Sequence, residues 1–175
     1  AQAICRDFEM NLTTLDLAGL SPIFGRNSLS DSSAEIPEGS YQPDSMQQTT
    51  VPNRNMILLS IAAGWAISNN CQAVAFGAHS GEYTPYPECR LGFAEAMDKA
   101  AQLGDWNPLR ILAPFVDWTK AGIVRRGAEL GVPFGLTWSC YVGGDRHCGR
   151  CGTCLDRKRA FQQSGVNDPT EYETA

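Results

Sequence analysis

Cys140, Cys148, Cys151 and Cys154 stand in the spacing C-x7-C-x2-C-x2-C, which constrains this chain more than any other feature because it brings four thiolates to one point. Zinc takes such a set tetrahedrally, with metal–sulfur distances of about 2.3 Å. The two-residue gaps let a tight turn present successive sulfurs to the same side, and Gly149 and Gly152 are expected to let the backbone curl beneath them. Two disulfides or an iron–sulfur cluster would use the same residues. Bonds within a C-x2-C pair belong to redox sites, however, and nothing else in the chain suggests secretion, so zinc is the preferred reading. Four thiolates leave no coordination position for water, which makes the expected metal structural. His147 could replace one cysteine as a ligand, but beside four so well spaced it is read as a solvated residue or one lying behind the ligands.

A chain of 175 residues can bury one good core, as a single domain or the larger part of one. Its net charge of −5 argues against general coating of nucleic acid, which needs clustered Lys and Arg. Arg146, Arg150, Arg157, Lys158 and Arg159 surround the cysteines all the same, either as a solvated helix face or as a phosphate-facing patch. No apolar run approaches the roughly 18 residues of a membrane span, and the N-terminal residues lack a signal-peptide pattern. With Cys5, Cys71 and Cys89 left unpartnered, a reducing, cytoplasmic setting is expected.

Taken in order, 1–8 reads as a helix and Asn11–Leu17, β-branched and alternating, as a short strand. Ser21–Thr50 is rich in Ser, Pro, Gly, Asp and Gln. It is expected to be a long loop, mobile from Ser30 to Gln48 and able to close over a substrate. Met56–Ile67 is apolar nearly all round, which predicts a buried helix. Ala73–Phe76 predicts a parallel strand covered on both faces, and Phe93–Leu103 an amphipathic helix ended by Gly104. Arg110–Phe115 follows as a second strand. A helix capped by Asp117 or Thr119 then runs to Leu130, and a last one covers Cys154–Gln163. This alternation predicts an α/β fold, an open parallel sheet with flanking helices.

Three places along that chain carry groups suited to an anionic or heterocyclic ligand. Arg54 and Asn55 stand at a helix start, where free N–H groups and a partial positive charge favour anions. Lys120 lies in the first turn of a later helix, a position that opposes the helix dipole unless an anion lies in front. The segment after the Ala73–Phe76 strand carries His79, Tyr83, Tyr86, Glu88 and Arg90, at the strand end where open α/β sheets bind ligands.

Together V-P-N-R-N (51–55), G-A-H (77–79), Y-P-E-C-R (86–90), D-W-T-K-A-G-I-V (117–124), G-V-P (131–133), T-W-S-C-Y (137–141) and D-R-K-R-A-F (156–161) resemble, in order and over nearly the whole chain, the 7-cyano-7-deazaguanine synthase family of the PP-loop ATP pyrophosphatases. The resemblance implies an adenine nucleotide alpha hydrolase-like fold. It also implies an ATP-dependent carbon–nitrogen ligase that turns 7-carboxy-7-deazaguanine and ammonia into 7-cyano-7-deazaguanine for queuosine synthesis. Structural zinc would sit at Cys140, Cys148, Cys151 and Cys154, and ATP would enter as co-substrate with Mg. Arg54 and Lys120 would be the catalytic cations, and Asn55, His79, Tyr83, Tyr86, Glu88 and Arg90 would face substrate. It divides the chain into a nucleotide- and substrate-binding domain, 1–137, and a zinc-binding appendage, 138–175. A homodimer is expected from the apolar helix surface and the four tryptophans. Two departures stand out. Glu88 replaces the family's Asp, and the S-G-G-x-D-S loop that cradles ATP phosphates is absent, since V-G-G-D at 142–145 lies inside the cysteine knuckle. The chain is therefore expected to be incomplete at its N-terminus. The alternatives are a non-catalytic, zinc-stabilised module binding a deazaguanine or nucleic acid, and a relative acting on another carboxylate.

Overall fold

Two apolar runs pair as the sequence pattern predicts: β1 (Ala73–Ala75) lies parallel to β2 (Arg110–Leu112), with Val74 opposite Ile111. A computed structural model provides the structure, and it describes residues 1–24, 27–31, 33–79 and 86–173. The chain divides into two compact units, one formed by Pro52–Ile123 and the other by Ala1–Val51 with Val124–Ala175.

In the first of these, the parallel pair is flanked by α3 (Arg54–Ser68) and α4 (Leu91–Leu103), the helices that precede and follow β1, so the unit is an α/β arrangement with a parallel sheet. Leu59, Ala66, Leu109 and Ile111 form its buried centre, with Phe76, Phe93 and Met97 packed around them. Asp98 fastens α4 to β2. Its carboxylate accepts hydrogen bonds from the Ile111 N–H at 2.8 Å, from Gln102 at 2.8 Å and from Arg110 Nε at 2.9 Å. The Arg110 guanidinium holds this carboxyl below its usual range, so the stabilisation is present above the unfolded-state value and fades as pH falls through the lowered folded one.

Four expectations change, three of them at strands and the helix beside them. Asn11–Leu17 forms no strand: among the described residues its alternation has no neighbouring strand to satisfy the ladder, and six of its seven residues are exposed. The helix α3 is not buried all round, because two strands cover only one of its faces. Leu59 and Ala66 are buried, whereas Met56, Leu58 and Trp65 are exposed. For the same reason β1 is not covered on both faces, since Ala73 and Ala75 remain exposed.

The other unit contains α1 (Gln2–Asp7), α2 (Pro43–Gln48), most of α5 (Lys120–Glu129) and α6 (Gly152–Ser164). Val124, Ala160 and Phe161 form a buried cluster with Phe134, whose ring meets Phe161 edge-on at 5.0 Å between centroids. The stretch 21–50 is thus more than loop, because α2 lies within it. No described helix is long and apolar enough to cross a membrane.

Gly127 exposes how tightly this cluster is filled: a Cβ there would stand 2.6 Å from the tip of the Phe134 ring. Alanine improves helix propensity by about 1 kcal/mol, but forcing a methyl into a packed ring costs about 1–3 kcal/mol. Gly127→Ala is therefore expected to lower the thermal midpoint, by about 2–4 °C for a net loss near 1 kcal/mol. A raised midpoint in a melting scan would show that Phe134 yields freely.

Candidate functional site

The cysteine knuckle is assembled by the turn into α6. Cys151 is the residue before the helix and Cys154 lies in its first turn, so both sulfurs sit at the positive end of the helix dipole. Gly149 adopts φ +74°, which reverses the chain between Cys148 and Cys151. Gly152 serves a different purpose from the expected curl. A Cβ there would lie 2.9 Å from the Tyr41 ring, so glycine is needed for close approach.

The four sulfurs lie within 4.8 Å of one another and all four residues are buried. Bonds of about 2.3 Å at tetrahedral angles place ligand sulfurs about 3.8 Å apart, and Cys148 Sγ stands 3.9 Å from Cys154 Sγ. That separation excludes a disulfide, and all seven cysteines are free. The donor set fits a tetrahedral thiolate metal. Backbone N–H groups already point at the sulfurs: Cys148 donates to Cys140 Sγ at 3.4 Å and Cys151 to Cys148 Sγ at 3.3 Å.

The thiols are not equivalent without a metal. Burial pushes Cys148 and Cys154 up. Burial also opposes ionisation of Cys151, but the Thr153 hydroxyl and the backbone N–H groups of Tyr141 and Cys154 outweigh it and bring the thiol down to about 6. Four thiolates at such distances require a cation to offset their repulsion, which the tetrahedral metal supplies when bound.

His147 lies behind the ligands. It is buried, its Nε2 accepts the Ser139 N–H at 3.2 Å, and its ring packs 4.2 Å from that of Trp138. Trp138 in turn donates from Nε1 to the Cys140 carbonyl at 2.8 Å, so the aromatic pair fixes the first ligand. The basic residues around the knuckle are engaged within the unit. Arg157 bonds Asp168, Thr137 Oγ1 and the Phe134 carbonyl, joining α6 to the turn before the knuckle. Arg150 pairs with Glu38 and Glu173, Arg146 with Glu171, and Arg159 with Asp156. Lys158 donates to the Gly149 carbonyl and lies over Tyr172. These pairings favour a structural role for the cations over a phosphate-facing patch.

The second candidate site lies in the α/β unit. Asn53, in the left-handed region at φ 55°, starts α3 without a side-chain cap. Arg54 and Asn55 follow in the first turn, and Asn55 does not cap the helix. Its Nδ2 instead reaches the Glu88 carbonyl at 3.3 Å and Cys89 Sγ at 3.7 Å. Glu88 is buried, in the single turn Pro87–Cys89 that leads into α4. Lys120 opens α5, where Thr119 Oγ1 accepts the Gly122 N–H at 3.1 Å as the cap.

Cys89 senses all of these groups. Burial raises its pKa first and the Glu88 carboxylate adds to the rise, while Arg54, the Asn55 hydrogen bond and Lys120 pull it down. Asn55 thus touches the Glu88–Cys89 turn directly, whereas Arg54 and Lys120 act on the thiol only through their charge. Sequence reasoning passed over Cys89. Its only signal was its place inside Y-P-E-C-R, between residues singled out for other reasons.

His79 lies beyond the carboxyl end of β1, in a parallel bridge with Phe115. Tyr86 precedes the Pro87–Cys89 turn, and Arg90 follows it as the residue before α4. Tyr83 lies outside the described residues.

The fold is that of an α/β protein with a parallel sheet, carrying cations at helix starts and four buried cysteines that could bind a metal. Residues 1–165 match the family described as "Queuosine biosynthesis protein QueC", and the chain belongs to it. The chain is 54% identical over 138 residues to a 7-cyano-7-deazaguanine synthase of Caldicellulosiruptor bescii, covering 79% of this chain and 62% of that protein. It is 40% identical over 174 residues to the enzyme of that name from Hahella chejuensis, covering 99% of this chain and 75% of the relative. With the one from Marinobacter nauticus it shares 43% identity over 173 residues, 99% of this chain and 78% of the relative.

Proposed function

We propose that this chain belongs to an ATP-dependent carbon–nitrogen ligase of queuosine biosynthesis that converts 7-carboxy-7-deazaguanine and ammonia into 7-cyano-7-deazaguanine on a PP-loop, adenine nucleotide alpha hydrolase-like fold. The observation that carries this reading is the reach of Asn55, beside Arg54 at the start of α3, onto the Glu88–Cys89 turn, in a chain whose relatives bear the synthase name. A non-catalytic module is not favoured, because those relatives are named for the reaction.

The chemistry requires a poor leaving group to be made a good one. A carboxylate oxygen attacks a phosphorus of ATP, and Mg would offset charge on the departing phosphate. Ammonia then adds to the acyl carbon and the phosphorylated oxygen leaves, giving the amide. A second activation, of the amide oxygen, and its loss with the two nitrogen protons give the nitrile. In this reading Arg54 and Lys120 stabilise the charge that develops on phosphate. Asn55 is oriented by the Glu88–Cys89 turn, and Tyr86 stacks on the purine-like ring with His79 and Arg90 beside it. Glu88, one methylene longer than the family's Asp, sets the position of that turn. Tyr83 is proposed for the same surface on its sequence position alone.

Zinc, at Cys140, Cys148, Cys151 and Cys154, would have all four positions filled by sulfur and so holds the fold rather than the substrate. The functional partition into 1–137 and 138–175 remains our proposal, as does a cytoplasmic location. A homodimer is proposed for the assembly, supported by the exposed Met56, Leu58 and Trp65 of α3 and checked by sedimentation velocity. The reaction itself is tested by supplying 7-carboxy-7-deazaguanine, ATP, Mg and ammonium to the enzyme containing this chain. Nitrile product dependent on ATP is expected. A metal-loaded enzyme that binds the deazaguanine but leaves it unchanged would support the binding module instead.

A further inference from the structure

The segment Arg146–Cys151 carries two of the four sulfur ligands, and backbone from two distant parts of the chain grips it. On one side Glu38 bridges Cys151 in an antiparallel pair, and the Gly39 N–H donates to the Arg150 carbonyl at 2.9 Å. On the other, Tyr172 bridges His147 in a parallel pair. There the Glu173 N–H donates to the His147 carbonyl at 2.8 Å, and the His147 N–H to the Glu171 carbonyl at 3.3 Å. Ile36 and Tyr172, one from each gripping segment, pack directly on the cysteine cluster.

One side chain spans both grips. Arg150 donates from Nε to Glu38 at 2.5 Å and from Nη1 to Glu173 at 3.1 Å, so its guanidinium ties residues on either side of the metal ligands to each other. We propose that Arg150, with Ile36–Gly39 and Glu171–Glu173, forms a clasp that controls how fast zinc leaves the four-cysteine site, and that zinc in turn holds Ile36–Gly39 in place. This rests on the zinc reading above.

A stability role alone does not account for the arrangement. The Arg150 side chain is 53% exposed and its partners 63% and 42%, and ion pairs that open to water add little to equilibrium stability. Their effect lies in the opening step. A competing ligand reaches a buried sulfur only after one gripping segment lifts, and the guanidinium couples the two so that neither lifts alone. Reciprocity follows from linkage: whatever the two segments contribute to zinc affinity, zinc contributes to their attachment. The stretch read from sequence as a substrate-closing loop is therefore anchored, at Ile36–Gly39, by the metal.

The test measures zinc transfer from the zinc-loaded protein to excess chromogenic chelator. Arg150→Ala is expected to release zinc about three- to tenfold faster than the parent, the range of two weak exposed pairs acting on one barrier. Arg150→Lys keeps the charge without the fork and should not restore the parent rate. Glu38→Gln and Glu173→Gln should each accelerate release, with effects that do not add to that of Arg150→Ala in double mutants. Removal of zinc should also speed proteolysis between residues 33 and 50, a readout that a general surface-charge effect would leave unmoved. Stoichiometric zinc released from Arg150→Ala at the parent rate, with matching circular dichroism, overturns the clasp and leaves the metal site standing. A protein that neither carries nor takes up zinc overturns both.

Discussion

Cys154→Ser is expected to leave the protein without zinc and without an ordered segment from Cys140 to Phe161. Cys154 is fully buried in the first turn of α6, and Cys151, the residue before that helix, is fully buried beside it. Losing one of four thiolates leaves three sulfurs and an open fourth position, which makes a weaker site than the closed set of a structural metal. A structural zinc site contributes on the order of 10 kcal/mol in favourable cases, which is comparable with the whole stability of a domain. The backbone bridges and the exposed Arg150 ion pairs around the knuckle each contribute far less than that. The hydrogen bonds onto sulfur are weak, and the Trp138–His147 pair joins the knuckle through the Cys140 carbonyl and the Ser139 N–H. Metal analysis by mass spectrometry and protease mapping check this together. A serine variant with one zinc per chain and parental protection would show that the fold, not the metal, positions the cysteines.

The second large effect is expected at the other site. Arg54→Ala and Lys120→Ala should each reduce turnover by about 100- to 1000-fold, the usual cost of removing one donor aimed at transition-state charge. Both residues stand at helix starts, 66 positions apart in the chain, and the charge of each lowers the pKa of the Cys89 thiol. Arg54→Lys should recover part of the loss, since it keeps the charge but cannot offer two parallel donors. Zinc content should be unchanged in all three. Steady-state kinetics with saturating ATP separates the effects: a fall in kcat marks a transition-state contact, whereas a rise in KM alone marks simple binding. Parental rates in both alanine variants would place the reacting phosphate elsewhere.

What the sequence revealed followed how local each signal is. Four cysteines within fifteen positions signal a cluster that could bind a metal, because their geometry is set by one turn and one helix start. The helices α4 and α5 were legible from their apolar spacing and stop signals, and Thr119, one of two capping candidates, is the one that caps. Asn11–Leu17 has the composition of a strand but no partner among the described residues, and pairing is a property of two segments rather than one. The exposure of Met56, Leu58 and Trp65 on α3 depends in the same way on how many strands lie beneath the helix.

Within the sites, too, the distant contacts were the hidden ones. Gly152 looked like a turn residue, and only the approach of Tyr41 explains it. Glu38 lies 112 positions from the Arg150 it holds, inside a stretch whose composition spoke of loop alone. A lone cysteine such as Cys89 carries no pattern. It gains meaning only once Asn55 is seen to reach it.

The central claim, ATP activation of a carboxylate that ends as a nitrile, is tested most directly by following its oxygen atoms. With 7-carboxy-7-deazaguanine labelled with oxygen-18 in both carboxyl positions, each activation transfers one labelled oxygen to the phosphoryl product when nitrogen replaces it. The account predicts that the phosphate or AMP released by the enzyme containing this chain carries the label, from the first oxygen at amide formation and from the second at nitrile formation. Nitrile produced with the label appearing in water and ATP left intact would contradict it.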